Sequence, residues 1–370
     1  MNLFPAVDPI PLPAPVWMFK ALHILTLGLH FISVEMLLGG MLVAIWLSFR
    51  GKTTGSAVRL NAASTMARRL PIVMTYVINL GVPPLLFAQV LYGRALYTSS
   101  VLIGAYWIGV VFLLMACYWL LYQFAARTET GRTAWPLGLL SWLLAASIAK
   151  IYTTNMTLML RPEVWNQMYS ASGIGAHLPQ HDPTAMPRWG FMLTGGLTMT
   201  GLWMLYLAGR KNLAGDVRSF LSANGGRLAL VMVPVQVWVA WKVFQAQPES
   251  VRQGLTSNPV YQIAAYLALG IAALVFLIGI WAAIAKPTGQ GLGWIAVSCG
   301  LLGMLSWVMF RDGIRDLTLA GKGLDVWQRQ VETNWSVVGL FLFLFVAGLA
   351  TVAWLVWVTR NAKPVSEKVA

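Results

Sequence analysis

Charge is what this chain of 370 residues has least of: Asp, Glu, Lys and Arg make up 10% of it, against 58% hydrophobic residues. A soluble domain carries about 25% charged residues. With a mean hydropathy of +0.67 and apolar residues gathered in long blocks, the shortage excludes an ordinary soluble fold. It predicts an all-α, polytopic transmembrane helix bundle. Cysteine and histidine are scarce as well, at two and four residues. Cys117 and Cys299 both lie inside apolar stretches, which fits packed thiols rather than a disulfide, and no Cys-x-x-Cys-His is present to attach a c-type haem. There is no P-loop, no dinucleotide-binding glycine pattern, no zinc spacing and no nucleophile–base set. The net charge of +14 has no basic tract interleaved with aromatics behind it. Nucleic acid is therefore not an expected partner, whereas membrane lipid is.

A segment needs roughly 20 apolar residues to cross a bilayer. On that rule nine spans are predicted, at approximately 17–48, 70–93, 100–125, 135–156, 189–208, 227–246, 259–285, 292–310 and 335–358. They form one transmembrane domain over residues 1–370, with outer loops at 157–188 and 311–334 and basic cytoplasmic loops at 49–69 and 209–227. Alternate loops and the C-terminal tail, including Arg360, Lys363, Glu367 and Lys368, hold 15 cations against three acids; the opposite side holds 11 cations and eight acids. The positive-inside rule then places the N-terminus outside and the C-terminus in the cytoplasm. The expected location is multi-pass in a bacterial inner membrane.

Residues 1–15 carry Pro5, Pro9, Pro11, Pro13 and Pro15 and no basic run, so they read as an extended lead-in rather than a cleaved signal. Of 18 Trp residues, Trp17, Trp135, Trp165, Trp189, Trp294, Trp335 and Trp357 lie near span ends, as interfacial anchors do. In the second outer loop, Arg311 and Arg315, and Asp312 and Asp316, are one helical turn apart. This spacing predicts a solvated helix with internal ion pairs, or a docking face for an extracytoplasmic partner.

Ionisable side chains in lipid are costly and usually functional. The first span holds His23, His30 and Glu35, the last being the one carboxylate in a predicted span. The histidines are seven residues apart, on the same helix face and about 10 Å apart along the axis. They cannot share one iron. Each could bind its own haem, one could bind haem while the other meets a quinol head group, or both could be satisfied by neighbouring helices. Glu35 suits either a proton-handling group or a protonated acid joining two helices. In the second span Pro83-Pro84 removes two backbone donors and predicts a kink facing protein or a cavity, with Asn79, Gln89 and Tyr92 supplying polar groups nearby. Gly190, Gly195, Gly196 and Gly201 in the fifth span allow close approach of a helix or a flat macrocycle. His177 and His181 flank Pro179, which disfavours a helical metal pair and leaves them as surface histidines.

Several of these residues form patterns. The run His30-Phe31-Ile32-Ser33-Val34, closed by Gly39, resembles the first-helix motif of cytochrome bd quinol oxidase subunit I. Gly81-Val82 and Tyr92-Gly93 resemble the two ends of that family's second-helix motif at the same spacing. Gly209-Arg210-Lys211 followed by Arg218-Ser219-Phe220 is similar to its loop after the fifth helix. The sequence departs from the family in having Gln89 where it has a glutamate, no glutamate in the third span, and no histidine near Gly190–Phe191. Its stretch between spans six and seven is short, about Gln245–Asn258.

The resemblance implies a divergent bd-like membrane subunit of a respiratory electron-transfer complex. It carries over one haem b ligand, His30, with His23 beside it as a second candidate. Glu35, Gln89, Tyr92 and Asn79 would line a quinone or proton site. If the chain is an enzyme subunit, it is a quinol-linked oxidoreductase subunit, and oxygen reduction is not expected. The implied partners are other subunits of the complex, such as an extracytoplasmic multihaem cytochrome or iron–sulfur protein. A cofactor-free anchor or assembly subunit and a secondary transporter are the alternatives, although no inverted repeat is visible for the latter.

Overall fold

A computed structural model gives the structure of residues 4–5, 10–179 and 182–361. Pro9, His181, Lys363, Glu367 and Lys368 lie outside the described residues. The elements are α1 (Val16–Thr54), α2 (Ala57–Ala67), α3 (Leu70–Leu102), α4 (Gly104–Glu129), α5 (Trp135–Leu158), α6 (Trp165–Ala171), α7 (Ala185–Ala208), α8 (Gly215–Gln245), α9 (Glu249–Ser257), α10 (Pro259–Ala285), α11 (Gln290–Ala320) and α12 (Trp335–Asn361). The described residues contain no strand beyond a single parallel bridge, Leu12 to Val331. Eight helical stretches are long and apolar enough to cross a membrane, α2 and α3 counting as one. At the ninth predicted span, α12 is apolar over Trp335–Gly348. The all-α bundle inferred from composition is therefore the observed fold.

Local chemistry sets the helix ends. Pro15, with extended backbone at ψ 140°, precedes the first turn of α1, and Gly55 ends the helix in the left-handed region at φ +64°. At α10, Asn258 accepts from the Val260 amide at 2.9 Å and Pro259 occupies the first helical position, where its missing N–H costs nothing.

α1 is the hub of the bundle, packing against α2, α3, α5, α7 and α11. Its approach to α7 is the closest kind. A Cβ on Gly39 would lie 2.0 Å from the Gly196 carbonyl oxygen, so only glycine fits there. Of the two readings of the small residues in the fifth span, helix packing is what Gly196 serves.

Three expectations need correcting. The eighth helix does not stop at residue 310: α11 continues to Ala320, and Asp312, Arg315 and Asp316 are buried at 4%, 4% and 7% exposure. These charges are neither a solvated helix nor a docking face, because α1 brings them partners inside the bundle. The connections expected at 49–69 and 209–227 are mostly helical, since α1 runs to Thr54, α2 fills 57–67 and α8 starts at Gly215. Finally, α3 carries Pro83 and Pro84 within the helix, and its non-helical backbone is at Tyr92 (φ −125°, ψ 23°).

Candidate functional site

Polar groups inside the bundle gather at two levels of α1. The first is near its N-terminal end. Lys20 Nζ donates to Tyr92 Oη (2.6 Å) and Asp316 Oδ2 (2.6 Å), and forms an ion pair with Asp312. Tyr92 Oη donates to Asp316 Oδ1 at 2.7 Å and lies 3.2 Å from Asp312 Oδ1. Trp327 Nε1 donates to Asp316 Oδ2 at 3.2 Å. Arg315 lies over the Tyr92 ring, 4.8 Å from its centroid, and its Nη1 donates to His23 Nε2 at 2.8 Å. His23 Nδ1 donates to the Pro84 carbonyl oxygen at 3.1 Å, which fixes the Nδ1–H tautomer. The break in α3 at Tyr92 falls at this cluster. Together α1, α3 and α11 are joined by one network in which each side chain has partners.

His23 therefore has both ring nitrogens engaged, and this arrangement leaves none to bind iron. His30 differs. Its Nδ1 donates to the Val77 carbonyl oxygen at 3.1 Å, while Nε2 makes no hydrogen bond with a described residue. The two histidines thus use carbonyls on either side of Pro83, and neither carbonyl is one of the two, at Asn79 and Leu80, that the prolines leave without an i+4 donor.

The second level lies about 18 Å along α1 from His23, at a rise of about 1.5 Å per residue. Here Glu35, 5% exposed, lines a cleft between α7, α8, α10 and α11. The cleft occupies about 750 Å³, its mouth included, and its walls are mostly apolar, with Met199, Val233, Cys299 and Trp307 among them. Gln236 brings an amide to it. A Cβ on Gly195 would sit 2.4 Å from Glu35 Oε1 and 3.1 Å from Gln236 Nε2, so glycine at 195 lets acid and amide share the space. No described residue hydrogen-bonds the Glu35 carboxyl.

The structure thus separates residues that the sequence grouped. Glu35 faces the cleft, whereas Tyr92 belongs to the ionic network. Asn79 is exposed and turned back onto Thr75 of its own helix at 2.8 Å, and Gln89 is half-buried on α3, away from the cleft lining. Sequence reasoning missed Lys20 and Gln236. Lys20 was only counted among the cations of the outer side, and the spacing of Asp312 and Asp316 on one face was the available hint of its partners.

No family model matches the sequence, and no curated protein does. Among solved structures, the chain superposes on the structure of bd oxidase from Geobacillus thermodenitrificans with a TM-score of 0.71, covering 96% of this chain and 100% of that one at 11% identity. The fold is that of a bd oxidase chain. At this identity the likeness carries the bd-like architecture and no residue roles. The match spans the whole bundle, well beyond the first, second and fifth spans where the sequence motifs lie.

A bd-like fold raises the question of haem, and the donor set of this chain answers for one ligand. His30 has its Nδ1–H anchored on a backbone carbonyl and its Nε2 uncommitted, which is how a metal-binding imidazole is usually held. Gly81 keeps the adjoining space open, since a Cβ there would come 3.0 Å from His30 Cε1. Of the two histidines, His30 is the one whose second ring nitrogen is uncommitted among the described residues, so it is the one that would hold a haem.

Proposed function

We propose that the chain is a quinol-interacting membrane subunit of a bd-like respiratory electron-transfer complex in a bacterial inner membrane. The observation that carries this reading is Glu35: a buried carboxyl without a partner among the described residues, at an apolar cleft, in a bundle with a bd oxidase fold. A quinol is a flat ring with two hydroxyls and a long apolar tail. The cleft walls suit ring and tail, Glu35 suits the acceptor of a hydroxyl proton, and the Gln236 amide suits the second oxygen. A buried polar group that lacks a partner gains most from a ligand that supplies one. Oxidation of the quinol releases protons as well as electrons, and Glu35 is placed to hold one of the protons. Haem b, when bound, exchanges single electrons, and His30 would hold it through Nε2. An extracytoplasmic cytochrome or iron–sulfur partner would meet the connections 157–184 and 321–334, since residues 311–320 are inside the bundle.

The test is quinol binding by the purified chain in nanodiscs, read by quenching of its tryptophan fluorescence. Glu35→Gln should weaken binding by about tenfold, the scale of one charge-assisted hydrogen bond, and Val233→Trp, which fills the cleft, should abolish it. Unchanged binding in both variants rejects the reading. A reduced-minus-oxidised spectrum separates the haem part: a b-type band should survive His23→Ala and vanish in His30→Ala. A colourless, stable protein would instead favour a cofactor-free anchor subunit, a role that the fully paired network around Lys20 also suits.

A further inference from the structure

The network around Lys20 leaves a surplus of positive charge beside it. Asp312 and Asp316 are both held by Lys20, and Arg315 is engaged by His23 and the Tyr92 ring. Two further arginines stand close by, Arg188 in the first turn of α7 and Arg311 on α11, near enough to each other and to Arg315 for their charges to repel. Neither has a carboxylate in contact among the described residues. Arg188 reaches only Gln247 Oε1, at a long 3.5 Å, and its Nε is buried without a partner among the described residues. Arg311 lies over the Phe31 ring at 5.4 Å, and its Nη1 is likewise buried and unpartnered. Asp182, an acid whose charge acts on Arg188, is occupied by the amide and hydroxyl of Thr184, both at 2.8 Å.

The two arginines are brought together by packing. Phe191, three residues after Arg188, stacks on Trp307, four residues before Arg311, with ring centroids 3.9 Å apart. Each guanidinium is thus about one helical turn from that stack, on facing helices. Both side chains are half-buried, and each holds a buried N–H that no described residue accepts, which is costly to maintain. They are also the best protein donors for a planar or tetrahedral oxyanion, which they can grip with paired N–H groups.

We propose that Arg188 and Arg311 form a binding site for an oxyanion of the phosphate class, supplied by the head group of an acidic phospholipid or by free phosphate. The site is independent of the Glu35 cleft and of any haem at His30. It lies on the far side of the Phe191–Trp307 stack from the acid.

The experiment uses the full chain in phosphatidylcholine nanodiscs and phosphate-free buffer, with thermal unfolding followed by tryptophan fluorescence. One arm adds inorganic phosphate; the other replaces part of the lipid with phosphatidylglycerol. Wild type should gain several degrees in one arm or both: a response to phosphate alone identifies a soluble ion, and a response to phosphatidylglycerol alone identifies a lipid head group. In Arg188→Gln and Arg311→Gln the half-saturating amount should rise by at least about tenfold, as expected for losing a charge-assisted pair. Arg132→Gln, an exposed cation at the other end of the bundle, should respond like wild type. Without added anion, Arg311→Gln should be as stable as wild type or more so, because it removes a half-buried cation whose Nη1 has no partner among the described residues. The proposal is overturned if neither probe moves wild type, if the two variants respond as wild type does, or if both lose stability in the anion-free nanodiscs.

Discussion

The cluster around Lys20 and the cleft at Glu35 are both buried and polar, and both hang from α1, yet they are built in opposite ways. In the cluster, Lys20, Tyr92, Asp316 and His23 have their polar atoms joined to one another or to backbone. At the cleft, one carboxyl meets no hydrogen-bond donor among the described residues and looks onto open volume. A fully satisfied buried network fixes one arrangement of helices, whereas an unsatisfied group is stable only if something else completes it. This difference is what the proposed function rests on: the first region holds helices together, and the second is the proposed ligand site.

Lys20→Met is the harshest way to break the contrast. It leaves two carboxylates buried together, and removing one partner of a buried pair costs about 3–5 kcal/mol. The expected result is a large drop in the unfolding midpoint in detergent, partly restored when Asp312→Asn and Asp316→Asn are added. Tyr92→Phe removes one hydroxyl that joins Lys20 to Asp316 and should cost about 1–3 kcal/mol in the same assay. Trp327→Phe keeps the ring and loses only the 3.2 Å bond to Asp316; about 0.5–1.5 kcal/mol is expected. At the cleft, Glu35→Gln should change the midpoint by less than about 0.5 kcal/mol while weakening quinol binding. A large loss of stability in Glu35→Gln would show that the acid holds helices together and would erase the contrast.

Much of the bundle was legible before the structure, because a long apolar run is a local property. The long helices cover the predicted spans, and α1 drew attention through His23, His30 and Glu35. What hydropathy misread was α11. A window over residues 311–320 sees Arg311, Asp312, Arg315 and Asp316 as the end of a span, since it weighs each charge alone. Their compensation comes from Lys20, 296 residues away from Asp316 in sequence. The proposed quinone site was half legible for the same reason. Glu35 stood out against its apolar neighbours, but Gln236 came from another helix and Asn79 proved to bond within its own. Pairings across distant helices are not written in either helix separately.

That distance between Lys20 and its acids also has a consequence for biogenesis. During synthesis at about 5–20 residues per second, α1 waits roughly 15–60 s for Asp316 to emerge. Throughout that interval the first helix holds a lysine that its final neighbours have yet to neutralise. Its position near the start of the helix lets the flexible ammonium reach toward the water interface while it waits. The arrival of α11 then withdraws that charge from the interface and completes its pairing with Asp312 and Asp316.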